Sequence, residues 1–229
     1  MKIYGLQKMT LLDYPEHVAC TVFLGGCDFR CPFCHNFELA EGHAEPELTE
    51  EELFAFLKKR QGILDGVAVT GGEPCLYEEL PDLLKKIREL GFAVKLDTNG
   101  AHPAVLRRVL EQGLADYAAM DIKNSPEKYA RTAGLDVVDM DAVRESIALL
   151  RESGFDYEFR TTVVRELHEA EDFEAIGKLI AGAKRYFLQS FTDRDTVPVR
   201  GLTAPDETEL RKYAEIVRKY VPDTRLRGV

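Results

Sequence analysis

Val18-Ala19-Cys20-Thr21-Val22-Phe23-Leu24-Gly25-Gly26-Cys27-Asp28-Phe29-Arg30-Cys31-Pro32-Phe33-Cys34-His35-Asn36 passes from an apolar run through a glycine pair into three cysteines. The run over residues 18–24 has the length and β-branched content of a buried strand. Gly25-Gly26 ends it, so the cysteines occupy the loop that leaves its carboxyl end. Their spacing is C-x3-C-x2-C, and the odd number matters. Three thiolates can hold three irons of a [4Fe–4S] cube and leave the fourth iron open to a substrate or cofactor.

Simpler readings of these cysteines are weaker. Structural zinc wants four ligands at tetrahedral spacing. His35 directly follows Cys34, and adjacent residues point apart, so one ion would be chelated poorly. A disulfide needs an oxidising compartment, and nothing in the chain suggests secretion. Cys20 alternates within the strand and reads as core. Cys75 follows Gly-Gly-Glu-Pro and reads as a small apolar filler, with a fourth cluster ligand as the other possibility.

The 229 residues suffice for one domain with a sizeable core. The composition, 45% hydrophobic and 31% charged, is that of a globule. A net charge of -10 argues against a nucleic-acid partner, which needs a basic surface. Neither a basic run nor a membrane span is expected. The opening Met1-Lys2-Ile3-Tyr4-Gly5-Leu6 lacks the apolar core of a signal peptide, so a cytoplasmic location is the expectation.

Apolar runs alternate with amphipathic stretches along the chain. Strands are expected over residues 18–24, 66–70, 93–97, 117–122, 157–163 and 185–189. Helices are expected over 49–59, 77–90, 103–112, 141–152, 172–180 and about 205–220. Thr49 and Glu52 form a capping-box pair. Gly91, Gly113, Gly154 and Gly182 each follow a helix. Six β-α units in one domain, residues 1–229 with a C-terminal helix, predict an α/β fold with a parallel sheet. A partial barrel and a flat doubly wound sheet both satisfy the pattern, and either binds ligands beyond the carboxyl ends of its strands.

Polar motifs fall at those ends. Strand two ends in Gly71-Gly72-Glu73-Pro74, whose glycines let a ligand approach the backbone. Strand three ends in Asp97-Thr98-Asn99-Gly100, able to bond ribose hydroxyls or a hard cation, or simply to form a capped turn. Strand four ends in Asp121-Ile122-Lys123, and strand six near Gln189. On strand five, Glu158 and Arg160 share one face; if it is interior, they are expected to pair with each other. Scattered turn residues would not collect at one end of successive strands, and this convergence favours an active site.

These residues resemble a known family. Cys27-x3-Cys31-x-Phe33-Cys34 is similar to the cluster motif of the radical S-adenosylmethionine enzymes. Together with Gly71-Gly72-Glu73-Pro74, Asp97-Thr98-Asn99-Gly100 and Asp121-Ile122-Lys123, it resembles the activating enzymes of glycyl radical proteins. Leu11-Leu12-Asp13-Tyr14-Pro15, Val22 to Cys27 and Cys34-His35-Asn36 look most like the activases of anaerobic ribonucleoside-triphosphate reductase. The similarity runs from about Tyr4 to Gln189.

The resemblance implies a partial (β/α)6 barrel with parallel strands. It implies one [4Fe–4S] cluster on Cys27, Cys31 and Cys34, and S-adenosylmethionine as cofactor. Gly71, Gly72 and Glu73 would bind the methionyl amino end, and the backbone from Phe33 to His35 the adenine. Asp97, Thr98 and Asp121 resemble positions that hold a monovalent cation, with Asn99 beside them. Lys123 would reach the carboxylate or ribose. The cofactor-binding histidine of the pyruvate formate-lyase activating enzyme has no counterpart in Leu188-Gln189-Ser190-Phe191, which leaves Gln189, and Phe191 as an adenine-stacking candidate. The implied reaction is reductive cleavage of S-adenosylmethionine to a 5′-deoxyadenosyl radical that removes hydrogen from a glycine Cα. The implied partners are a glycyl radical enzyme and an electron donor of flavodoxin or ferredoxin type. Two other readings remain: a radical enzyme on a small molecule, such as a 7-carboxy-7-deazaguanine synthase, and a metal-binding module without catalysis.

Overall fold

A computed structural model describes residues 1–42 and 44–229. Among these residues one sheet of eight strands carries the fold, with the strands in sequence order. The strands are β1 (Ile3–Thr10), β2 (Ala19–Leu24), β3 (Gly66–Gly71), β4 (Ala93–Thr98), β5 (Tyr117–Asp121), β6 (Asp156–Val163), β7 (Tyr186–Ser190) and β8 (Thr224–Arg227). From β2 to β8 every neighbouring pair is parallel. Strand order is linear from β1 to β8, so the curved sheet is an open barrel.

The six expected strands are β2 to β7. Covered by helices, β2, β3 and β5 bury most residues on both faces, as parallel strands do. Among the described residues the α-helices are α1 (Phe37–Glu41), α2 (Glu50–Arg60), α3 (Leu80–Glu89), α4 (Pro103–Glu111), α5 (Tyr129–Ala133), α6 (Met140–Glu152), α7 (Ala170–Leu179) and α8 (Glu207–Arg218). Thr49 caps α2 through the expected box: Glu52 N donates to Thr49 Oγ1 at 3.2 Å, and Thr49 N to Glu52 Oε2 at 2.8 Å. In α3, Leu80, Leu83, Leu84 and Ile87 face the core. That helix starts later than its periodicity predicts, because Tyr77 is extended where it leaves the 3₁₀ turn Pro74–Leu76.

Two strands and two short helices go beyond the expectation. β1 runs antiparallel to β2 and buries only its terminal residues Ile3 and Thr10, so it carries no period-two signal. β8 follows α8, so the C-terminal helix is not the last element. Its sequence Thr-Arg-Leu-Arg has no apolar face; pairing with β7 makes it a strand. α1 and α5 have five residues each and are too short to show a helical period. α5 matters to the site, as described next.

Candidate active site

The cysteine loop leaves β2 at Leu24, and its neighbours are backbone. Gly72 N donates to Leu24 O at 2.8 Å and Glu73 N to Gly26 O at 2.8 Å. These contacts explain the glycine pair of the β3 end. A Cβ on Gly72 would stand 1.9 Å from Gly26 O, and one on Gly71, at φ 124°, would stand 2.1 Å from Leu24 O. The glycines therefore let two strand-end loops touch, a need that precedes any approach by a ligand. Asn36 Nδ2 donates to Gly71 O at 3.1 Å and Tyr77 Oη to Gly25 O at 2.7 Å, closing the loop onto the same turn. On its far side Arg30 N donates to Ala133 O at 2.8 Å. Gly134, which ends α5 at φ 71°, packs so tightly there that a Cβ would meet Arg30 O at 1.9 Å.

Cys27, Cys31 and Cys34 line one cavity of about 220 Å³ with Phe33, His35, Gly71, Gly72, Glu73, Asp97, Thr98, Asn99, Asp121, Lys123 and Gln189. Every residue that the resemblance names for the cluster or the cofactor lines this cavity except Phe191. All five cysteines are unpaired thiols. Burial pushes Cys27 up to about 12 and Cys31 to about 11, and raises Cys34 as well. Lys123 opposes this at each of the three. Phe29 N donates to Cys27 Sγ at 3.3 Å, and Asn99 Nδ2 lies 3.9 Å from the same sulfur. Soft thiol donors in threes, beside a lysine and N–H groups, suit an iron–sulfur cluster. No three Cys, His, Asp or Glu side chains among the described residues converge on a single ion. Cys20 and Cys75 are both fully buried in the core, Cys75 behind Glu73.

The polar motifs bond chiefly to one another. The buried Glu73 carboxylate accepts from Thr98 Oγ1 at 2.7 Å, Asn99 N at 2.6 Å and Cys75 N at 2.9 Å. Burial pushes this carboxyl up to about 7 against those three hydrogen bonds. Glu73 thus brackets β3 to β4, and its backbone is engaged as well, Glu73 N on Gly26 O and Glu73 O on Leu76 N. Asn99 Oδ1 accepts from Ala101 N at 2.9 Å, the turn anticipated for Asn99-Gly100, while its Nδ2 donates to Asp28 Oδ1 at 3.0 Å. His35 Nε2 lies 2.7 Å from Thr192 O, and its ring stacks on Phe191 at 5.8 Å between centroids. Phe191 is buried and does not line the cavity, so the adenine-stacking role expected for it has no surface there.

Glu158 and Arg160 do face the barrel interior, but each has a different partner from the expected one. Glu158 accepts from Arg227 Nη1 at 2.8 Å and from Tyr117 Oη at 2.7 Å. Arg160 Nε donates to Asp121 Oδ1 at 2.5 Å, and its Nη2 to Asp97 Oδ2 at 3.2 Å. Lys123 Nζ donates to Asp121 Oδ2 at 2.8 Å, and Lys95 pairs with Asp97 Oδ1. Burial works to raise both carboxyls, and Arg160, aided by Lys123 at Asp121 and Lys95 at Asp97, overrides it and holds both below the usual range. Sequence reasoning missed Lys95, Asn36 and Gly134. A charged residue inside an apolar strand, as in Ala93-Val94-Lys95-Leu96, was the signal available for Lys95.

A second cavity of about 730 Å³ adjoins the first. It shares His35, Asn36, Thr70, Asp97, Arg160 and Gln189 with it and runs down the barrel to Asp13, Glu158 and Arg227. The reacting site and the barrel interior are thus continuous.

Comparison with known proteins agrees with this geometry. The family model of the radical SAM superfamily matches residues 21–180. A protein of Methanocaldococcus jannaschii, provisionally named a glycyl-radical enzyme activating enzyme, is 31% identical over 235 residues, covering 99% of this chain and 96% of its own. A 7-carboxy-7-deazaguanine synthase of Thermococcus kodakarensis is 28% identical over 189 residues, covering 73% and 72%. The crystal structure of Streptococcus suis SuiB bound to precursor peptide SuiA superposes at a TM-score of 0.72, with 16% identity over 91% of this chain and 48% of that one. The chain belongs to the radical SAM superfamily, in the family of the glycyl-radical-enzyme activating enzymes, and is a radical SAM enzyme.

Proposed function

We propose that this enzyme activates a glycyl radical enzyme by removing a hydrogen atom from a glycine Cα of that partner, and that the partner is the anaerobic ribonucleoside-triphosphate reductase. The observation that carries the reading is the continuity of the thiol-lined cavity with an open-sided barrel interior. A glycine has no side chain, so a loop carrying it can enter such a channel. Similarity along almost the whole chain to a protein bearing the activating-enzyme name supports it. The motif order Leu11 to Pro15, Val22 to Cys27 and Cys34 to Asn36 supports the choice of reductase.

Cys27, Cys31 and Cys34 would hold a [4Fe–4S] cluster, and Gly71 to Glu73 and Lys123 would hold S-adenosylmethionine. When bound, the two together supply the one-electron chemistry that generates a carbon-centred radical. This chain's residues do the rest. The apolar wall of Phe29, Phe33 and Ala40 limits water at the thiols. The Glu73 bracket fixes the turn presented to the methionyl end, and Lys123 brings a positive charge to a carboxylate. The proposed electron donor is a flavodoxin or ferredoxin and the proposed location cytoplasmic; no described helix is long and apolar enough to cross a membrane.

The test is to mix the reconstituted, reduced enzyme with the reductase and S-adenosylmethionine and record an EPR spectrum. A glycyl doublet is expected. The 28% identity to a deazaguanine synthase favours a second reading, action on a small pterin-like molecule. Turnover of a pterin without any protein partner, and no doublet, would replace the first reading by the second.

A further inference from the structure

We propose that the Arg160 guanidinium occupies the place between Asp97 and Asp121 that a monovalent cation would take, so that this enzyme binds its cofactor without a metal cation there. The inference rests on reading this cavity as the S-adenosylmethionine site. It starts from register. Asp97 lies one residue before the end of β4, Asp121 ends β5, and Arg160 lies opposite Asp121 on β6. Three adjacent strands thus bring the three side chains to one interior face.

The fit of a metal ion fails on the donor atoms. Each of the four carboxylate oxygens already faces a protein cation. Asp97 Oδ1 meets Lys95 and Asp97 Oδ2 meets Arg160 at 3.2 Å. Asp121 Oδ1 meets Arg160 at 2.5 Å and Asp121 Oδ2 meets Lys123 at 2.8 Å. The planar guanidinium can span two carboxylates, which an ammonium cannot do with the same geometry. Thr98, the remaining expected ligand, has its hydroxyl donated to Glu73 and accepting from Gly100 N.

Charge balance points the same way. Lys95, Arg160 and Lys123 outnumber Asp97 and Asp121 by one positive charge in a site exposing at most 28% of any of these side chains. Within this ion-pair network an added cation would face three positive groups, whereas an anion would be attracted. The carboxylate of the methionyl group is such an anion. Arg160 is a positioning residue here, holding two aspartates in place, while Lys123 lines the cavity paired with Asp121.

Two measurements test this. In the first, S-adenosylmethionine is titrated calorimetrically into the cluster-loaded enzyme in potassium, sodium or choline chloride at equal ionic strength. Affinities within about twofold of one another are expected. Affinity at least about tenfold weaker in choline than in potassium would overturn the proposal. In the second, thermal melting of the cluster-free protein is compared in the same salts. The wild type should melt alike in all three. Arg160→Gln, which unpairs Asp97 and Asp121, should melt higher in potassium or sodium than in choline. A wild-type midpoint that rises with potassium would also overturn the proposal, whether or not the variant folds. Absence of S-adenosylmethionine binding in every salt would reject the reading of the site instead, and the melting comparison would still decide the cation question.

Discussion

Gly72 lies so close to Gly26 that a Cβ there would stand 1.9 Å from a backbone carbonyl oxygen. Backbone cannot rotate away as a side chain does. Gly72→Ala should therefore push the cysteine loop off the β3 end and cost about 1–3 kcal/mol. Iron and sulfide content after reconstitution should fall along with the melting temperature. A fully loaded Gly72→Ala protein of unchanged stability would contradict the packing account.

Gly134 makes the same kind of contact from the other side, against Arg30 O. Alanine there adds a left-handed backbone penalty of about 1–2 kcal/mol to the clash. Gly134→Ala should lower cluster content although no part of α5 carries a thiol. Iron analysis compared with Gly113→Ala, whose Cβ would meet nothing within 4 Å, separates the clash from the backbone penalty.

The three loop cysteines and the two core cysteines should behave oppositely. Cys27→Ala, Cys31→Ala and Cys34→Ala should each abolish the cluster and S-adenosylmethionine cleavage. Cys75→Ala and Cys20→Ala should keep both, at a cavity cost of about 1–2 kcal/mol. Full activity in Cys31→Ala would end the assignment of the cluster to this loop.

Glu73 accepts three hydrogen bonds while buried. Glu73→Gln keeps the shape but turns an amide NH2 toward at least one donor, leaving that donor unsatisfied. A loss of about 1–3 kcal/mol is expected in urea unfolding. S-adenosylmethionine affinity should fall too, because the β3–β4 bracket loosens. Unchanged unfolding would show that the carboxylate is not holding these loops.

His168 sets a pH dependence. Val164 N and Val164 O both lie 3.1 Å from its Nδ1, and Lys123 O lies 2.9 Å from its Nε2. Burial pushes this imidazole below its ordinary value of 6.5. The folded protein thus favours neutral His168, and the unfolded chain takes up a proton first as pH falls. Its contribution to stability is complete above 6.5 and is lost as pH drops through the lower folded value. The cluster-free wild type should therefore lose more stability between neutral pH and mildly acid pH than His168→Gln does. Parallel losses in the two proteins would refute the assignment.

Much of the site was legible because its signals are short-range. The cysteine spacing, the Gly-Gly-Glu-Pro turn and the Asp-Thr-Asn-Gly turn each lie within a few residues. Their placement at strand ends follows from alternating β and α elements. The pairing of Glu158 and Arg160 was misread for the opposite reason. Proximity on one strand suggested a pair, but Arg227 from β8 and Asp121 from β5 come closer. β8 itself has no apolar alternation, so neither it nor its arginine could be anticipated.

Local pattern fixed six parallel strands, their helices, and a three-thiol loop at one end of the sheet, because periodicity and turn chemistry act between neighbours in the chain. Tertiary structure decided which charges share the barrel and why glycine is required at residues 71, 72 and 134. Those outcomes depend on contacts between segments far apart in sequence, where the cost of a buried charge or of a single methyl group is set by what the fold brings alongside.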